Sequence, residues 1–137
     1  MRHVDLSFPG YVQRKKTKYQ HANTKNLQHS PYQAQPIQYG TKVHQPVKSE
    51  TSAPLPDKQI KRVKNIVSNF VWYIPVCNPT LAASLRAIAS RQTKGTEDVM
   101  AACHQLLDYL ATHPDEAIPY HASEIILDYD TDTSYIS

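Results

Sequence analysis

Three aspartates occupy alternate positions near the C-terminal end of the sequence: Asp128, Asp130 and Asp132. Residues two apart on a strand point to the same face, so the pattern predicts a row of carboxylates that repel one another unless a cation binds them. A divalent metal would supply that cation, and the alternative is an exposed acidic edge strand that water solvates. A calcium loop is excluded, because Thr133 stands where the sharp turn of that loop needs glycine.

Two clusters of basic residues suggest a second chemistry, the binding of phosphate groups. Tyr11 and Tyr19 flank the first cluster, and the second lies about forty residues further along the chain. The alternative is a charged surface that only keeps the chain in solution. The candidate nucleic-acid-binding residues are Arg14, Lys15, Lys16, Lys18, Lys61, Arg62 and Lys64.

Charge is divided unevenly along the chain, although the whole carries only +3. Residues 1–64 contain twelve Lys and Arg and three acidic residues, which gives a net charge of +9. Residues 65–137 contain three Lys and Arg and nine acidic residues, which gives a net charge of −6. A basic arm before an acidic body indicates either a tail that binds polyanions or a piece of a longer protein whose charges were balanced elsewhere.

Other kinds of site find little support in the sequence. Cys77 and Cys103 are too far apart for a zinc motif, and two cysteines do not make a disulfide framework, so we expect both to be small buried hydrophobic residues. The seven histidines show no i, i+4 pair, and three glycines do not form a phosphate-binding loop. We therefore expect no bound cofactor and no small-molecule substrate.

The cellular location is predicted only coarsely. No run of about 18 apolar residues is present, so no membrane partner is expected. The first residues, MRHVDLSFPG, lack the apolar core of a secretory signal, which favours an intracellular protein. The sequence does not distinguish the nucleus from the cytoplasm, and it does not indicate the oligomeric state.

The first part of the chain is predicted to contain little regular structure. Val4, Leu6 and Phe8 alternate with polar residues and indicate one short strand, which Pro9 and Gly10 end. Residues 20–57 are rich in Gln, His, Pro and Ser, and such a segment buries too little apolar surface to offset the entropy of ordering. We expect a disordered linker there, within a disordered basic N-terminal arm.

Three amphipathic helices are predicted in the second part, near 58–74, 79–92 and 96–112. Asn78 and Pro79 indicate the start of the second helix, Thr96 caps the third, and Pro75 should end the first. The predicted buried residues are Ile60, Val63, Val67, Phe70, Leu81, Leu85, Ile88, Val99, Cys103, Leu106 and Leu107. Residues 118–121 and 125–129 then indicate a β-hairpin, which makes the fold class α+β, mainly α.

Taken in order, these segments resemble the Pol polyprotein of LTR retrotransposons with a copia-type layout. The resemblance rests on Val4-Asp-Leu-Ser-Phe-Pro-Gly-Tyr-Val12, Val67-Ser-Asn-Phe-Val-Trp-Tyr73, Asn78-Pro-Thr-Leu81, Cys103-His-Gln-Leu-Leu-Asp-Tyr-Leu-Ala-Thr-His-Pro114, Ile118-Pro-Tyr-His-Ala-Ser123 and Asp130-Thr-Asp-Thr-Ser-Tyr135. It spans residues 4 to 137, and its specificity comes from the order of the motifs rather than from any one of them.

The resemblance implies four segments. Residues 1–19 would be the remnant of a reverse transcriptase end, 20–57 the linker, 58–114 a helical connection, and 115–137 the truncated start of a ribonuclease H-like domain with an incomplete β-hairpin. Asp132 would be the first catalytic aspartate and would bind the Mg²⁺ ions that activate water for phosphodiester cleavage in intact relatives. It is the single member of an incomplete set, and Thr133 departs from the alanine that the family favours.

This resemblance predicts a noncatalytic fragment of a retrotransposon Pol polyprotein, whose intact relatives synthesise DNA on RNA and degrade RNA in RNA–DNA hybrids. The alternative is a small nucleic-acid-binding or protein-interaction module that uses the basic N-terminal arm. An active nuclease would be a third possibility only if another chain supplied the remaining carboxylates.

Overall fold

A computed structural model describes residues 2–22, 27–32 and 52–122 of the chain. Two strands, β1 (His3–Ser7) and β2 (Ala117–His121), lie near the ends of the described part. The helices are α1 (Tyr11–Lys18), α2 (Asp57–Phe70), α3 (Tyr73–Cys77), α4 (Ala82–Arg91) and α5 (Glu97–Thr112), with 3₁₀ turns at Pro79–Leu81 and Gln92–Lys94. The described fold is α+β and mainly helical, as predicted, and no helix in it has the length and apolar character needed to cross a membrane.

The three predicted amphipathic helices are confirmed, with one correction at the first. Pro75 does not end α2, which already stops at Phe70; Val71 and Trp72 form a turn and α3 then includes Pro75. Because Pro75 lies in the first turn of α3, its missing N–H leaves no hydrogen bond of that helix unmade. The break lets Trp72 pack edge-on against Tyr11, with ring centroids 4.8 Å apart.

The core lies where α2, α4 and α5 meet, and α1 and α3 close it on one side. Every predicted core residue is buried except Ile60, which is half-buried. Val71, which continues the apolar spacing of α2, is 58% exposed because the helix ends before it. Cys77 and Cys103 are free and buried, as expected.

The N-terminal arm is not disordered where the structure describes it, which corrects the prediction. In α1, Tyr11 stacks on Tyr73 at 5.2 Å between centroids and Val12 is buried, and Tyr19, which directly follows α1, is buried as well. In the sequence these three residues form only a weak helical stripe among basic residues, yet they bury enough apolar surface to hold a short helix against the core.

The strand pairing also differs from the predicted hairpin. β2 pairs antiparallel with β1, with Val4 opposite Tyr120 and Leu6 opposite Ile118, so the two ends of the described chain meet in one ribbon. Residues 125–129, the other predicted strand of that hairpin, lie outside the described residues.

We predicted that the linker, residues 20–57, makes few contacts with the helical unit. This prediction is wrong at both ends of the linker that the structure describes. Leu55 is buried, and its N–H donates to the Gly95 carbonyl at 2.9 Å. At the other end, the Gln28 N–H donates to the Thr112 hydroxyl at 3.0 Å. Residues 23–26 and 33–51, together the greater part of the predicted linker, are not among those described.

Candidate nucleic-acid interface

Two tyrosines, one at the start of α1 and one directly after it, hydrogen-bond to two asparagines of α2, while the backbone of α1 lies against α5. The Tyr11 hydroxyl donates to the Asn69 carbonyl at 2.6 Å, and the Tyr19 hydroxyl donates to the Asn65 carbonyl at 3.0 Å. The side chain of Asn69 donates to the Tyr19 hydroxyl at 2.7 Å and accepts a hydrogen bond from the Lys15 ammonium group. These bonds fix the basic residues of α1 beside those of α2.

Members of both basic clusters, Lys18 from the first and Lys61 and Arg62 from the second, line one shallow surface depression of about 310 Å³, which we call the basic depression. It lies between the C-terminal end of α1 and the first half of α2. Its lining includes four cations and, among the described residues, no acidic side chain. The lining residues are Lys18, Tyr19, Gln20, Lys58, Lys61, Arg62 and Asn65.

Arg62 joins the two helices at the bottom of the basic depression. Its Nη2 donates to the Tyr19 carbonyl at 2.6 Å, which holds the guanidinium at the end of α1. Its Nε is buried and has no hydrogen-bond partner among the described residues. Arg62 is therefore a cation that the fold positions in advance, whereas Lys58 and Lys61 are exposed, and a lysine ammonium group lies on a flexible stem.

The positive charges on α1 repel one another. The pKa of Lys15 is lowered, first by partial burial and then by the neighbouring charges of Lys18 and Arg14. Such a concentration of like charge is relieved when an anion binds, and phosphate groups of a nucleic acid are suitable anions.

A pair of histidines adjoins the basic depression on its α5 side. His21 Nε2 forms a hydrogen bond with Asp108 Oδ1, and the side chains are 9% and 16% exposed. The ring of His21 lies 5.7 Å from that of His104. The pKa of His104, an exposed residue, is lowered first by the partial burial of its ring, then by His21 and by Arg62, so His104 favours its neutral form.

The predicted basic residues are only partly brought together. Lys18, Lys61 and Arg62 line the basic depression, whereas Arg14 is exposed on α1 and Lys64 is exposed on α2 outside the lining. Lys15 is engaged with Asn69, and Lys16 also has an interaction partner.

Sequence reasoning missed Lys58, Tyr19, Gln20 and Asn65 as lining residues. The signal for two of them was present, because Lys58, Lys61, Arg62 and Asn65 follow the i, i+3, i+4, i+7 spacing of one helix face.

The predicted metal site cannot be assigned a place in the described fold. Asp132, together with Asp128 and Asp130, lies outside the residues that the structure describes. Within residues 2–22, 27–32 and 52–122, no group of three or more His, Cys, Asp or Glu side chains is arranged to hold a metal ion. A Mg²⁺ site at Asp132 therefore remains a prediction that only the resemblance supports.

Comparison of the chain with known protein families, with curated proteins and with solved structures found no match. The copia-type Pol resemblance stays a prediction, and the function is inferred from the residues and their geometry.

Proposed function

We propose that this chain is a noncatalytic nucleic-acid-binding module whose basic depression binds the phosphate backbone without reading sequence. The observation that supports this proposal is the meeting of Lys18, Lys58, Lys61 and Arg62 around one surface that contains no acid among its lining residues. Backbone contacts of this kind carry no direct information about base sequence, so binding depends on charge and shape.

The proposal differs from a free basic tail in one respect. The Arg62 bond to the Tyr19 carbonyl and the Tyr19–Asn69 bond hold Arg62 and the backbone at the end of α1 in fixed relative positions. A fixed array loses less conformational entropy when it binds than an unstructured arm does.

As the origin of the chain, we propose a fragment of a copia-type Pol polyprotein. The motif order given above supports this origin, and nucleic acid is the ligand class that both proposals share. Under this proposal the helices α2 to α5 correspond to the connection between polymerase and ribonuclease H.

The test of binding compares two double charge reversals that change the net charge equally. Lys58→Glu with Lys61→Glu alters the basic depression, whereas Arg2→Glu with Arg86→Glu alters exposed residues of the β1 end and of α4. Affinity for a short fluorescein-labelled DNA duplex is measured by anisotropy over a range of salt concentrations. Substitutions test the basic depression better than a deletion of residues 1–57, because that deletion would remove the buried Tyr11, Val12 and Tyr19 from the core.

For the unaltered chain we expect a log–log salt slope of roughly −4 to −5, from about 0.9 per phosphate contact. The Lys58/Lys61 variant should lower the magnitude of that slope by about 1.8 and weaken binding, because two contacts are lost. The Arg2/Arg86 variant should keep the slope. Equal weakening in both variants would mean that only net charge matters, and no binding at low salt would refute the proposal.

A further inference from the structure

A second cleft, of about 360 Å³, lies between α4 and α5, and we call it the α4–α5 cleft. Its apolar surface is built mainly from small side chains on the two helices: Ala87, Ala101 and Ala102, with Ile88. Arg91 and Asp98 contribute charged groups to the lining, and Gln105 and Ser84 contribute polar ones. A volume of this size is at the lower end of the range of about 300–1,000 Å³ that ligand pockets occupy.

One wall of the α4–α5 cleft is made by Pro31 and Tyr32, and hydrogen bonds hold this wall in place. The Gln105 side-chain amide donates to the Ser30 carbonyl at 3.2 Å, and the Ser30 hydroxyl donates to the Tyr32 carbonyl at 2.6 Å. The Tyr32 side chain nevertheless stays available, because the residue is 54% exposed.

Ser84 gives the cleft an unsatisfied polar group. The residue is only 5% exposed, and its hydroxyl has no hydrogen-bond partner among the described residues. Leaving a buried hydroxyl unpaired is unfavourable. Rotation about its χ1 angle between staggered rotamers offers a way to turn the hydroxyl toward a ligand in the cleft.

The cleft and the basic depression lie at the same end of the helical unit, where α2 and α5 begin. Lys58 is in the first turn of α2 and Asp98 in the first turn of α5. The two helix starts are joined through Gly95, since a Cβ built on that residue would lie 3.2 Å from Ile60 Cγ1 of α2.

We propose that the α4–α5 cleft accepts an unpaired base of a single-stranded nucleic acid whose backbone is bound at the basic depression. A nucleobase has flat apolar faces and a polar edge, which match a surface of alanines beside an exposed tyrosine and two side chains that hydrogen-bond. Tyr32 stacks on the base, as aromatic side chains do in single-strand-binding proteins, and Ser84 and Gln105 contact its edge. This inference rests on the proposed function, and it names single strands as the preferred ligand.

The experiment uses the full chain and two fluorescein-labelled probes of equal length and charge: a single-stranded DNA oligonucleotide and its fully abasic counterpart. We expect the unaltered chain to bind the probe with bases more tightly, by about fivefold to a hundredfold for one stacked base. Tyr32→Ala should abolish that preference while leaving abasic binding unchanged. Tyr120→Ala is the matched control, because Tyr120 is 53% exposed but lies on β2.

Two variants separate base binding from folding. Ser84→Ala removes an unpaired buried hydroxyl, so we expect an unchanged or higher Tm together with a smaller preference for bases. Ala101→Trp fills the cleft from an exposed position on α5 and should remove the preference.

The outcomes distinguish this inference from the proposed function. Equal binding of both probes by the unaltered chain would overturn the base site and leave backbone binding standing. If the unaltered chain bound neither probe nor duplex DNA, the proposed function itself would be refuted. A preference that Tyr32→Ala and Ala101→Trp leave intact would also overturn the assignment of the α4–α5 cleft.

Discussion

Asn69 donates a side-chain hydrogen bond to the Tyr19 hydroxyl at 2.7 Å, and so ties the end of α1 to the last turn of α2. Tyr19 is 6% exposed, and burial raises the pKa of its phenol, which therefore stays protonated and able to donate to the Asn65 carbonyl. Because the Tyr19 carbonyl also accepts from Arg62, this one residue positions a cation of the basic depression.

Removing the Tyr19–Asn69 bond should lower stability by an amount that a double-mutant cycle can isolate. We expect Tyr19→Phe and Asn69→Ala each to cost about 1 kcal/mol or more, with a coupling between them of about 0.5–1.5 kcal/mol. The free energy of unfolding is measured with urea. Tyr120→Phe, an exposed tyrosine, is the control, and additive effects of the Tyr19 and Asn69 changes would contradict a direct bond.

Leu106→Ala should destabilise the helical unit strongly. Leu106 is fully buried in α5, so its truncation leaves a cavity and should cost about 2–5 kcal/mol. Leu27→Ala, at a residue that is 71% exposed, should change stability by less than about 0.5 kcal/mol. If Leu106→Ala and Leu27→Ala changed the free energy of chemical unfolding equally, the helices would not unfold as one unit.

Stability should fall as the solution becomes acidic, in part because of His104. Its pKa is lowered in the folded state by burial first, then by His21 and Arg62, while the unfolded chain takes up a proton near the ordinary pKa of about 6.5. Below that pH the unfolded state binds more protons than the folded state, so the free energy of unfolding decreases.

His104→Gln should therefore reduce the loss of stability between about pH 7.5 and pH 5, measured by urea unfolding at each pH. His121→Gln, on the exposed ribbon, is the control substitution. A greater acid sensitivity in the His104 variant would contradict the direction of the shift.

Neither cysteine should react with a thiol reagent while the protein is folded. Burial raises the pKa of Cys103 to about 12 and also raises that of Cys77, so little thiolate exists near neutral pH. Both side chains are about 1% exposed or less. Ellman's reagent should detect two thiols only after denaturation, and rapid labelling of the native chain would mean that α5 or α3 opens readily.

The purified chain should not cleave an RNA–DNA hybrid in the presence of Mg²⁺, because Asp132 is the single member of the catalytic set that the resemblance identifies. The assay follows a labelled RNA strand on a gel, with Asp132→Asn as the matched variant. Cleavage that disappears in Asp132→Asn would show that the site is complete, whereas cleavage that persists would indicate a contaminating nuclease.

The sequence by itself determined the amphipathic helices, the first strand and the burial of the two cysteines. Periodic apolar residues suffice for this, because each helix needs only one face to bury: Val99, Cys103 and Leu106 on α5 lie on such a face and are all buried. The basic clusters were equally visible, since charge is a property of the residues alone.

Only the tertiary structure decided which segments meet. Antiparallel pairing of β1 with β2 joins the two ends of the described chain, and a strand's own sequence does not specify which distant edge it will meet. The end of α2 at Phe70 likewise goes together with the packing of Trp72 against Phe8 and Tyr11, which belong to another segment. Arg62 reaches the Tyr19 carbonyl for the same reason: a contact between residues far apart in sequence requires the packed core that brings α1 onto α2.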